Sequence, residues 1–403
     1  RDAGTPPLLR PLLAPDAPEA PTTPAFADDD EEPLWWEAPA KAFAERALLG
    51  NGRLGAIDGG GAWDEEMTLN EESVLGGRPL SADEQRQKWA KKREAMRAME
   101  RSMAAADVGG AEGHARELSG GKIESYESLG ELHIATLPGG RPADATDQRR
   151  GLPTDRLVPT DSYRRELWLR RGVAVARWSS GGCNYERRAF ASRADDAVVL
   201  RLNSSCAFGL RLSLGRAAAP TTARARAVAA ERAVLLHGRA GKGNASGTMV
   251  KDEGVRFAVR AQLAALDAAA AAPVADGGAL LVRSLTDVTV VVSAHTSFGA
   301  LVGGTGGGDA AALEAAATKA TKAAAARGWD ELHRRHVARQ AEAMGRVRLR
   351  LAGPRRPDLS TPRRLAAADG VEDVGLIEQA FDMGRYFLLG SSGAPGALPP
   401  NLQ

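Results

Sequence analysis

Cysteine is scarce in this sequence, with only Cys183 and Cys206 among 403 residues. Two cysteines allow one bridge at most, which excludes a small disulfide-stapled scaffold and leaves their pairing open. Long apolar runs are also lacking, and no stretch approaches the roughly 18 residues of a membrane-spanning helix. A basic surplus is missing too: 53 Lys and Arg face 51 Asp and Glu, for a net charge of +2. We therefore expect neither a membrane nor a nucleic-acid partner.

The first 32 residues differ from the rest of the chain. They are rich in Pro and Ala and end in DDDEE at 28–32, a composition that predicts a disordered leader. The sequence begins with Arg1 and stops at Gln403 without a terminal element, so we expect a fragment cut at both ends. The triplets at 203–205 and 244–246 fit the N-glycosylation pattern. Such triplets also arise by chance, so the compartment stays open, with a secreted, endomembrane or vacuolar location slightly favoured.

Ten short runs with β character dominate the middle of the chain. Residues 255–260 show the alternation most plainly, because every second residue is polar or small. Runs of this kind without intervening helices predict antiparallel sheets stacked as a sandwich. The runs are 129–136, 163–170, 173–178, 185–190, 197–203, 208–214, 233–237, 255–263, 279–284 and 287–294.

Helical patterns flank these runs on both sides. A capping box at Ser81 and apolar residues from Trp89 to Met103 predict a helix over 81–106 with a narrow apolar stripe. After the glycine-rich residues 303–308, Ala-rich residues 310–327 predict a second helix. A third follows with Trp329, Leu332, His336, Gln340 and Met344 on one stripe. Residues 372–390 predict a fourth, with Ile377, Phe381, Gly384 and Leu388 on one face.

Reactive motifs are few. Residues 238–243 (GRAGKG) lack the Ser or Thr that follows Lys in a phosphate-binding loop, so a surface hairpin is the better interpretation. His333 and His336 have helical spacing but no clear third ligand, so we expect no metal there. The sequence also lacks a Gly-x-Ser-x-Gly elbow. The residues alone therefore predict a large β-sandwich followed by helices and name no reaction.

Several segments, in chain order, resemble the amino-terminal part of glycoside hydrolase family 95, the inverting 1,2-α-L-fucosidases. The similar segments are LWWEAPA at 34–40, LGNGRLGA at 49–56, LNEESVLGG at 69–77, YESLGEL at 126–132, the strand pair from YRREL at 163–167 to RAFAS at 188–192, GRYFLL at 384–389 and LPPNLQ at 398–403. Departures include Leu75 in place of the family's Trp, Arg339 and Gln340 in place of an Asp-Tyr pair, and an inserted loop at 138–161. They affect local packing more than the fold.

The resemblance implies a mainly β protein with C-terminal helices: an antiparallel β-supersandwich, a helical linker, and the first helix of a truncated (α/α)6 barrel. The expected boundaries are a leader at 1–32, the sandwich at 33–302, the linker at 303–370 and the barrel helix at 371–403. The family removes terminal α-L-fucose, or the similar α-L-galactose, from glycans with inversion, and no cofactor is implied. Its catalytic Glu and Asp lie in the barrel beyond residue 403, so we expect this chain alone to be inactive on its fucosylated glycan substrate.

Two substrate-binding residues follow from the resemblance, Asn70 and Glu71, in a motif that would touch the mouth of the barrel. The alternative is a turn in which they satisfy backbone groups. Trp35 and Trp36 would sooner pack the sandwich against the linker than stack on a sugar. A different class of function also stays open, namely a non-catalytic carbohydrate-binding or scaffold protein, and the oligomeric state is unknown.

Overall fold

The computed structural model describes residues 31–77, 82–118, 126–139, 160–217, 222–243, 249–251, 254–267, 270–301, 308–393, 395–396 and 398. The chain divides into two units, 1–31 and 32–403, and every element below belongs to the second. The expected leader, the inserted loop, the glycine-rich break at 303–308 and the end of the last motif lie wholly or mostly outside the described residues. None of the described helices is long and apolar enough to cross a membrane.

The strand pairings are all antiparallel, and β4 alternates buried with more exposed side chains along its length. The first eight are β1 (Leu34–Trp36), β2 (Ala47–Gly50), β3 (Leu54–Asp58), β4 (Asp64–Glu71), β5 (Gly130–Pro138), β6 (Ser162–Trp168), β7 (Val173–Ser180) and β8 (Cys183–Ser192). The next eight are β9 (Ala197–Gly215), β10 (Ala223–Val228), β11 (Ala233–Arg239), β12 (Lys242–Gly243), β13 (Met249–Lys251), β14 (Arg256–Leu266), β15 (Val274–Asp276) and β16 (Ala279–Thr296).

The two longest strands, β9 and β16, connect the two parts of the sheet. One path of hydrogen-bonded strands runs β1-β6-β7-β8-β9-β16-β14-β11-β10, and a branch runs β2-β3-β4-β5 and meets β9. The first part of β9 pairs with β8 and its second part with β5, while β16 pairs along both. Leu132, Leu200, Phe208 and Leu212, all without measurable exposure, belong to the main core between the layers. The mainly β fold with C-terminal helices is therefore confirmed.

Four predicted strands are in fact two. Residues 197–203 and 208–214 belong to the continuous strand β9, and residues 279–284 and 287–294 belong to β16. Register shifts in β16 between Val282 and Leu285 and between Leu285 and Asp287 absorb the irregularity that the sequence pattern presents as a turn. The sequence patterns also did not predict β1 to β4, nor β10, β13 and β15.

The helices are α1 (Ala82–Ala104), α2 (Val108–Leu118), α3 (Phe298–Leu301), α4 (Ala310–Ala325), α5 (Gly328–Met344), α6 (Thr361–Ala367) and α7 (Val374–Gly390). The predicted stripe of α5 is buried as expected. Its Trp329 and Leu332 pack with Phe190 and Val291 in a second apolar cluster on the outer face of the sheet. In α1, by contrast, Trp89 and Met103 are exposed, so that stripe does not enter the core.

The last helix buries a face that the apolar pattern did not predict. Ile377 and Leu388 are 56% and 64% exposed, whereas Glu378, Gln379 and Asp382 are buried. The buried polar groups are paired with arginines: Glu378 with Arg355, Gln379 with Arg364, and Asp382 with Arg170. A buried charge is tolerated when it is paired and hydrogen-bonded, which explains how α7 docks through a polar face.

Candidate functional site

The glycine-rich segment 50–56 forms a hairpin turn against the end of the last helix. Asn51 shapes the turn, because its Oδ1 accepts hydrogen bonds from the backbone N–H groups of Arg53 and Leu54 at 2.9 and 2.7 Å. Gly52 has φ +96°, and a Cβ there would lie 2.2 Å from the carbonyl oxygen of Gly393. The Gly52 N–H donates to the carbonyl oxygen of Gly390 at 2.8 Å. The absence of a side chain at Gly50 and Gly52 therefore lets the hairpin backbone approach the end of α7 closely.

Arg53 extends from this turn into a buried ion-pair cluster. Its guanidinium lies 3.1 Å from Glu71 Oε1 and 2.8 Å from Asp196 Oδ2, and it also donates to the carbonyl oxygen of Ala294 at 3.0 Å. One side chain thereby connects β3, β4, β16 and the turn after β8. The cluster holds the hairpin in a fixed position beneath the end of α7.

Asn70 and Glu71 lie on opposite faces of β4, as adjacent strand residues must. Glu71 points inward, is 3% exposed, and accepts hydrogen bonds from Ser73 N and Ser73 Oγ at 2.8 and 2.6 Å. Burial raises the pKa of Glu71, although Arg53 and the Ser73 hydrogen bonds oppose the shift. The structure therefore separates the two predicted site residues, and their contact with substrate stays a prediction.

Asn70 lines a cavity of about 710 Å³ between the β2–β4 strands and the end of α7. Apolar and aromatic side chains form most of its wall, with a few polar groups among them, which is the usual make-up of a small-molecule site. Polar lining residues are Arg53, Thr68, Asn70, Glu72, Ser128 and Ser391, and aromatic ones are Phe43, Tyr126, Tyr386 and Phe387. Burial raises the pKa of Tyr126, and Glu71 adds to the shift.

Arg193 fastens the end of α7 over this cavity. Its guanidinium donates to the carbonyl oxygens of Leu389 and Ser392, the second at 3.0 Å. Carbonyl groups at the end of a helix lack hydrogen-bond donors within the helix. Arg193, in the turn after β8, supplies donors to two of them. The cavity is thus bounded by the β-domain on one side and by the C-terminal helix on the other.

Trp35 and Trp36 pack as expected, against arginines and the linker. Each ring lies 4.1 Å from a guanidinium carbon, that of Arg164 for Trp35 and that of Arg165 for Trp36. The Trp35 backbone N–H donates to Thr361 Oγ1 at 2.9 Å, at the start of α6. Trp35 therefore joins β1 to α6 through its backbone, while the Trp36 ring packs on Arg165 of the neighbouring strand β6.

A buried acid pair, which sequence reasoning missed, lies on the other side of the hairpin. Arg187 bridges Asp58 and Glu65 at 2.9 and 2.6 Å, and the backbone of Gly59, Gly60 and Gly61 donates to the two carboxylates. Burial, assisted by the charge of Asp58, raises the pKa of Glu65 to about 7. All three side chains are buried, so the group stabilises the fold, and none of the three lines the cavity beside Asn70. The three glycines between Asp58 and Glu65 were the feature of the sequence from which this pair could have been predicted.

His333 and His336 pack around Phe190 and do not form a metal site with other described residues. His336 is buried, stacks on Phe190 with ring centroids 4.4 Å apart, and donates from Nε2 to the carbonyl oxygen of Gly172 at 3.1 Å. Burial lowers the pKa of His336 to about 4. Within the described ranges, three or more His, Cys, Asp or Glu side chains nowhere gather in a cluster suited to a metal ion.

The two cysteines, whose pairing the sequence left open, form a disulfide between β8 and β9. Their Cα atoms are 5.6 Å apart, within the range that a disulfide spans without backbone distortion. The bridge lies at the end of the β8–β9 hairpin, away from the cavity beside Asn70.

Comparison with known proteins divides the chain into two matched regions. Residues 34–300 match the N-terminal domain of glycosyl hydrolase family 65, and residues 328–403 match the catalytic domain of glycosyl hydrolase family 95. Alpha-L-fucosidase 2 of Arabidopsis thaliana is 27% identical over 172 residues, which cover 43% of this chain and 18% of that protein. The chain therefore matches less than a fifth of the length of this curated relative.

Among solved structures, a putative kojibiose phosphorylase from human microbiome matches with a TM-score of 0.41 and 8% identity, over 78% of this chain and 39% of that one. The two family matches follow one another along the chain and together include nearly all the described elements. The chain belongs to the glycoside hydrolases that combine a family 65-type N-terminal domain with a family 95 catalytic domain.

Proposed function

We propose that the whole protein hydrolyses terminal α-L-fucosyl linkages of glycans, with α-L-galactosyl linkages as the related alternative, and inverts the anomeric configuration. The observation that carries the proposal is the match of residues 328–403 to the family 95 catalytic domain. The relative named alpha-L-fucosidase 2 supports the choice of sugar. The aromatic and polar lining of the cavity beside Asn70 suits a carbohydrate, whose C–H faces contact rings and whose hydroxyls need hydrogen-bond partners.

We further propose that residues 1–403 alone are inactive. Inversion requires two carboxyl groups about 6.5–9.5 Å apart across the scissile bond. The acids that line cavities in the described part of the chain are already engaged. In the cavity beside Asn70, Glu72 accepts from Leu398 N. In a second cavity, between Trp36 and Thr361, Glu45 accepts from the backbone of Lys41 and Glu37 pairs with Arg363. In a third, Glu186 accepts from Arg177 and Arg188. The catalytic acid and base would then come from the remainder of the catalytic domain.

Within this proposal Asn70 contacts the sugar directly, because its side chain lines the cavity next to the end of α7. A carboxamide donates and accepts hydrogen bonds, which matches a sugar hydroxyl. Contact by Glu71 requires its ion pair with Arg53 to open, since that carboxylate is buried on the other face of β4.

The test compares residues 1–403 with a chain extended to the end of its natural catalytic domain. Both are incubated with a 2′-fucosylated oligosaccharide, and released fucose is followed by proton NMR, which resolves the anomer formed first. We expect no release from residues 1–403 and initial β-L-fucose from the extended chain. Turnover by residues 1–403 would refute the proposed inactivity. An extended chain that is folded and leaves both α-L-fucosides and α-L-galactosides intact, or that yields the α-anomer first, would refute the proposed reaction.

A matched pair of variants in the extended chain tests the role of Asn70. Asn70→Ala should raise KM about tenfold, which corresponds to about 1.4 kcal/mol, while Thr68→Ala, which also removes a polar group from the cavity wall on the same strand, should change it less. Equal effects of the two substitutions, or none, would contradict direct contact by Asn70.

A further inference from the structure

A row of polar side chains crosses the sheet on its outer side. The row is set by strand register and consists of Arg164, Arg177, Glu186, Asn203 and Asp287, one residue from each of β6, β7, β8, β9 and β16. All five are half-buried, and Leu202 beside Asn203 is fully buried. The row therefore faces away from the core.

Asn203 is the one neutral residue of this row. The charged residues on either side of it have partners: Glu186 accepts from Arg177 Nε at 2.7 Å, and Asp287 accepts from Arg201 Nε at 2.8 Å. The Asn203 carboxamide makes no hydrogen bond with any other described residue. It lines an open cavity of about 390 Å³, together with the exposed residues Asn184 and Ser205. A group attached to its nitrogen would extend into solvent without breaking an existing contact.

We infer that Asn203 is an acceptor for N-linked glycosylation. The triplet Asn203-Ser204-Ser205 has the required hydroxyl two residues after the asparagine and no proline between them. The strand presents the asparagine outward, so a glycan attached before folding is compatible with the pairing of β9 to β8 and β16. A triplet that arose by chance on the inner face would block folding once modified, because a bulky polar group cannot enter a close-packed core.

The disulfide supplies an independent observation. Cys206 directly follows the triplet and is bonded to Cys183. Disulfides persist in oxidising compartments such as the lumen of the endoplasmic reticulum, which is also where oligosaccharides are transferred to asparagine. The same segment of β9 therefore carries the products of two reactions that occur in one compartment.

The transfer is a substitution with a defined balance of atoms. The Asn203 amide nitrogen forms a bond to C1 of the reducing-end N-acetylglucosamine of a polyprenyl-diphosphate oligosaccharide. The bond between that C1 and the diphosphate oxygen breaks, and the lipid diphosphate leaves with the electron pair. The amide nitrogen loses one proton, and no oxidant or reductant takes part.

The experiment expresses residues 1–403 behind a secretion signal in a yeast or insect host. The secreted, non-reduced protein is treated with peptide N-glycosidase F in heavy-oxygen water, which converts a glycosylated asparagine to labelled aspartate. Peptide mass spectrometry should find the label at position 203. An unlabelled Asn203 in protein whose Cys183–Cys206 bridge is intact would overturn the proposal.

Two serine variants form a matched pair. Ser205→Ala removes the hydroxyl that the acceptor pattern requires and should abolish the label at Asn203, whereas Ser204→Ala leaves the pattern intact and should retain it. The mass spectrum of the unsubstituted chain decides the proposal even if either variant is secreted poorly. Ser246→Ala separates any modification at 244 from that at 203. Label that persists at 203 in Ser205→Ala would also refute the assignment, because it would show deamidation and not glycan removal.

Discussion

The Tyr386 hydroxyl donates a 2.6 Å hydrogen bond to the carbonyl oxygen of Leu48, although the two residues are 338 positions apart in the chain. Tyr386 is buried in the main core, while most of the neighbouring surface of α7 is exposed. Together with the bond from Gly52 N to the Gly390 carbonyl oxygen, this contact fixes α7 on strand β2 and on the turn that follows it. The lining of the cavity beside Asn70 depends on that docking.

Replacement of Tyr386 by Phe should lower the free energy of unfolding by about 1 kcal/mol, since a partly buried carbonyl loses its donor while the ring still packs. Urea unfolding with an unchanged m-value measures the loss. In the Tyr386→Phe chain, backbone hydrogen exchange should be faster in residues 374–390 than in the strands. An unfolding free energy equal to that of the original chain would mean that the Leu48 carbonyl finds another partner and that the bond does not secure the helix.

Gly52→Ala should destabilise the chain by about 3 kcal/mol or more, because both a positive φ and a backbone contact oppose the new methyl group. Gly277→Ala is the matched control: Gly277 has φ +60°, but a Cβ there meets no atom within 4 Å. The control should lose only about 1 kcal/mol from the backbone conformation. Thermal and urea unfolding of the two variants measure the difference, and equal losses would show that contact with Gly393 is unimportant.

Glu65 should make the free energy of unfolding fall as pH rises, which is the opposite of the usual effect of a carboxyl group. Its folded-state pKa of about 7 lies above the ordinary value of 4.5, so the folded state binds the proton more tightly. The resulting stabilisation is fully present below pH 4.5 and is lost as pH rises through 7, a change of about 3 kcal/mol. Glu65→Gln cannot titrate, so the unfolding free energy of the original chain should fall relative to that of the variant between pH 4.5 and 7.5.

His336 supplies the control for this experiment, because its contribution to the free energy of unfolding changes with pH in the opposite direction. Its folded-state pKa of about 4 lies below 6.5, so its contribution is full above pH 6.5 and is lost as pH falls toward 4. The two groups partly cancel in the original chain, and only the variants separate them. If Glu65→Gln and His336→Gln shift the pH profile in the same direction, the assignment of Glu65 as the group with the raised pKa is wrong.

Sequence patterns correctly predicted helices and strands in which apolar residues recur at regular spacing. They failed where contacts with residues distant in the chain determine which face of an element is buried. The stripe of α5 was predictable because Trp329, Leu332 and Met344 meet an apolar sheet face. The docking face of α7 was not, since Glu378 and Asp382 are buried only because Arg355 and Arg170 approach from elsewhere in the chain. At the candidate site the family resemblance identified the segment around Asn70. It could not show that Glu71 turns inward, because the partners of Glu71 include Arg53, in the turn before β3.

The exposed apolar face of α7 should make residues 1–403 associate at high concentration. Ile377, Phe381 and Leu388 are 56%, 37% and 64% exposed on one side of the helix, and burial of such surface stabilises an assembly by roughly 25 cal/mol per Å². Sedimentation velocity over a concentration series should detect dimers or larger species, and replacement of all three residues by Gln should shift the chain toward monomer. Val274→Gln, which removes an exposed apolar side chain from β15, is the matched control and should leave association unchanged. A monodisperse monomer at every concentration would show that this face of α7 does not mediate self-association.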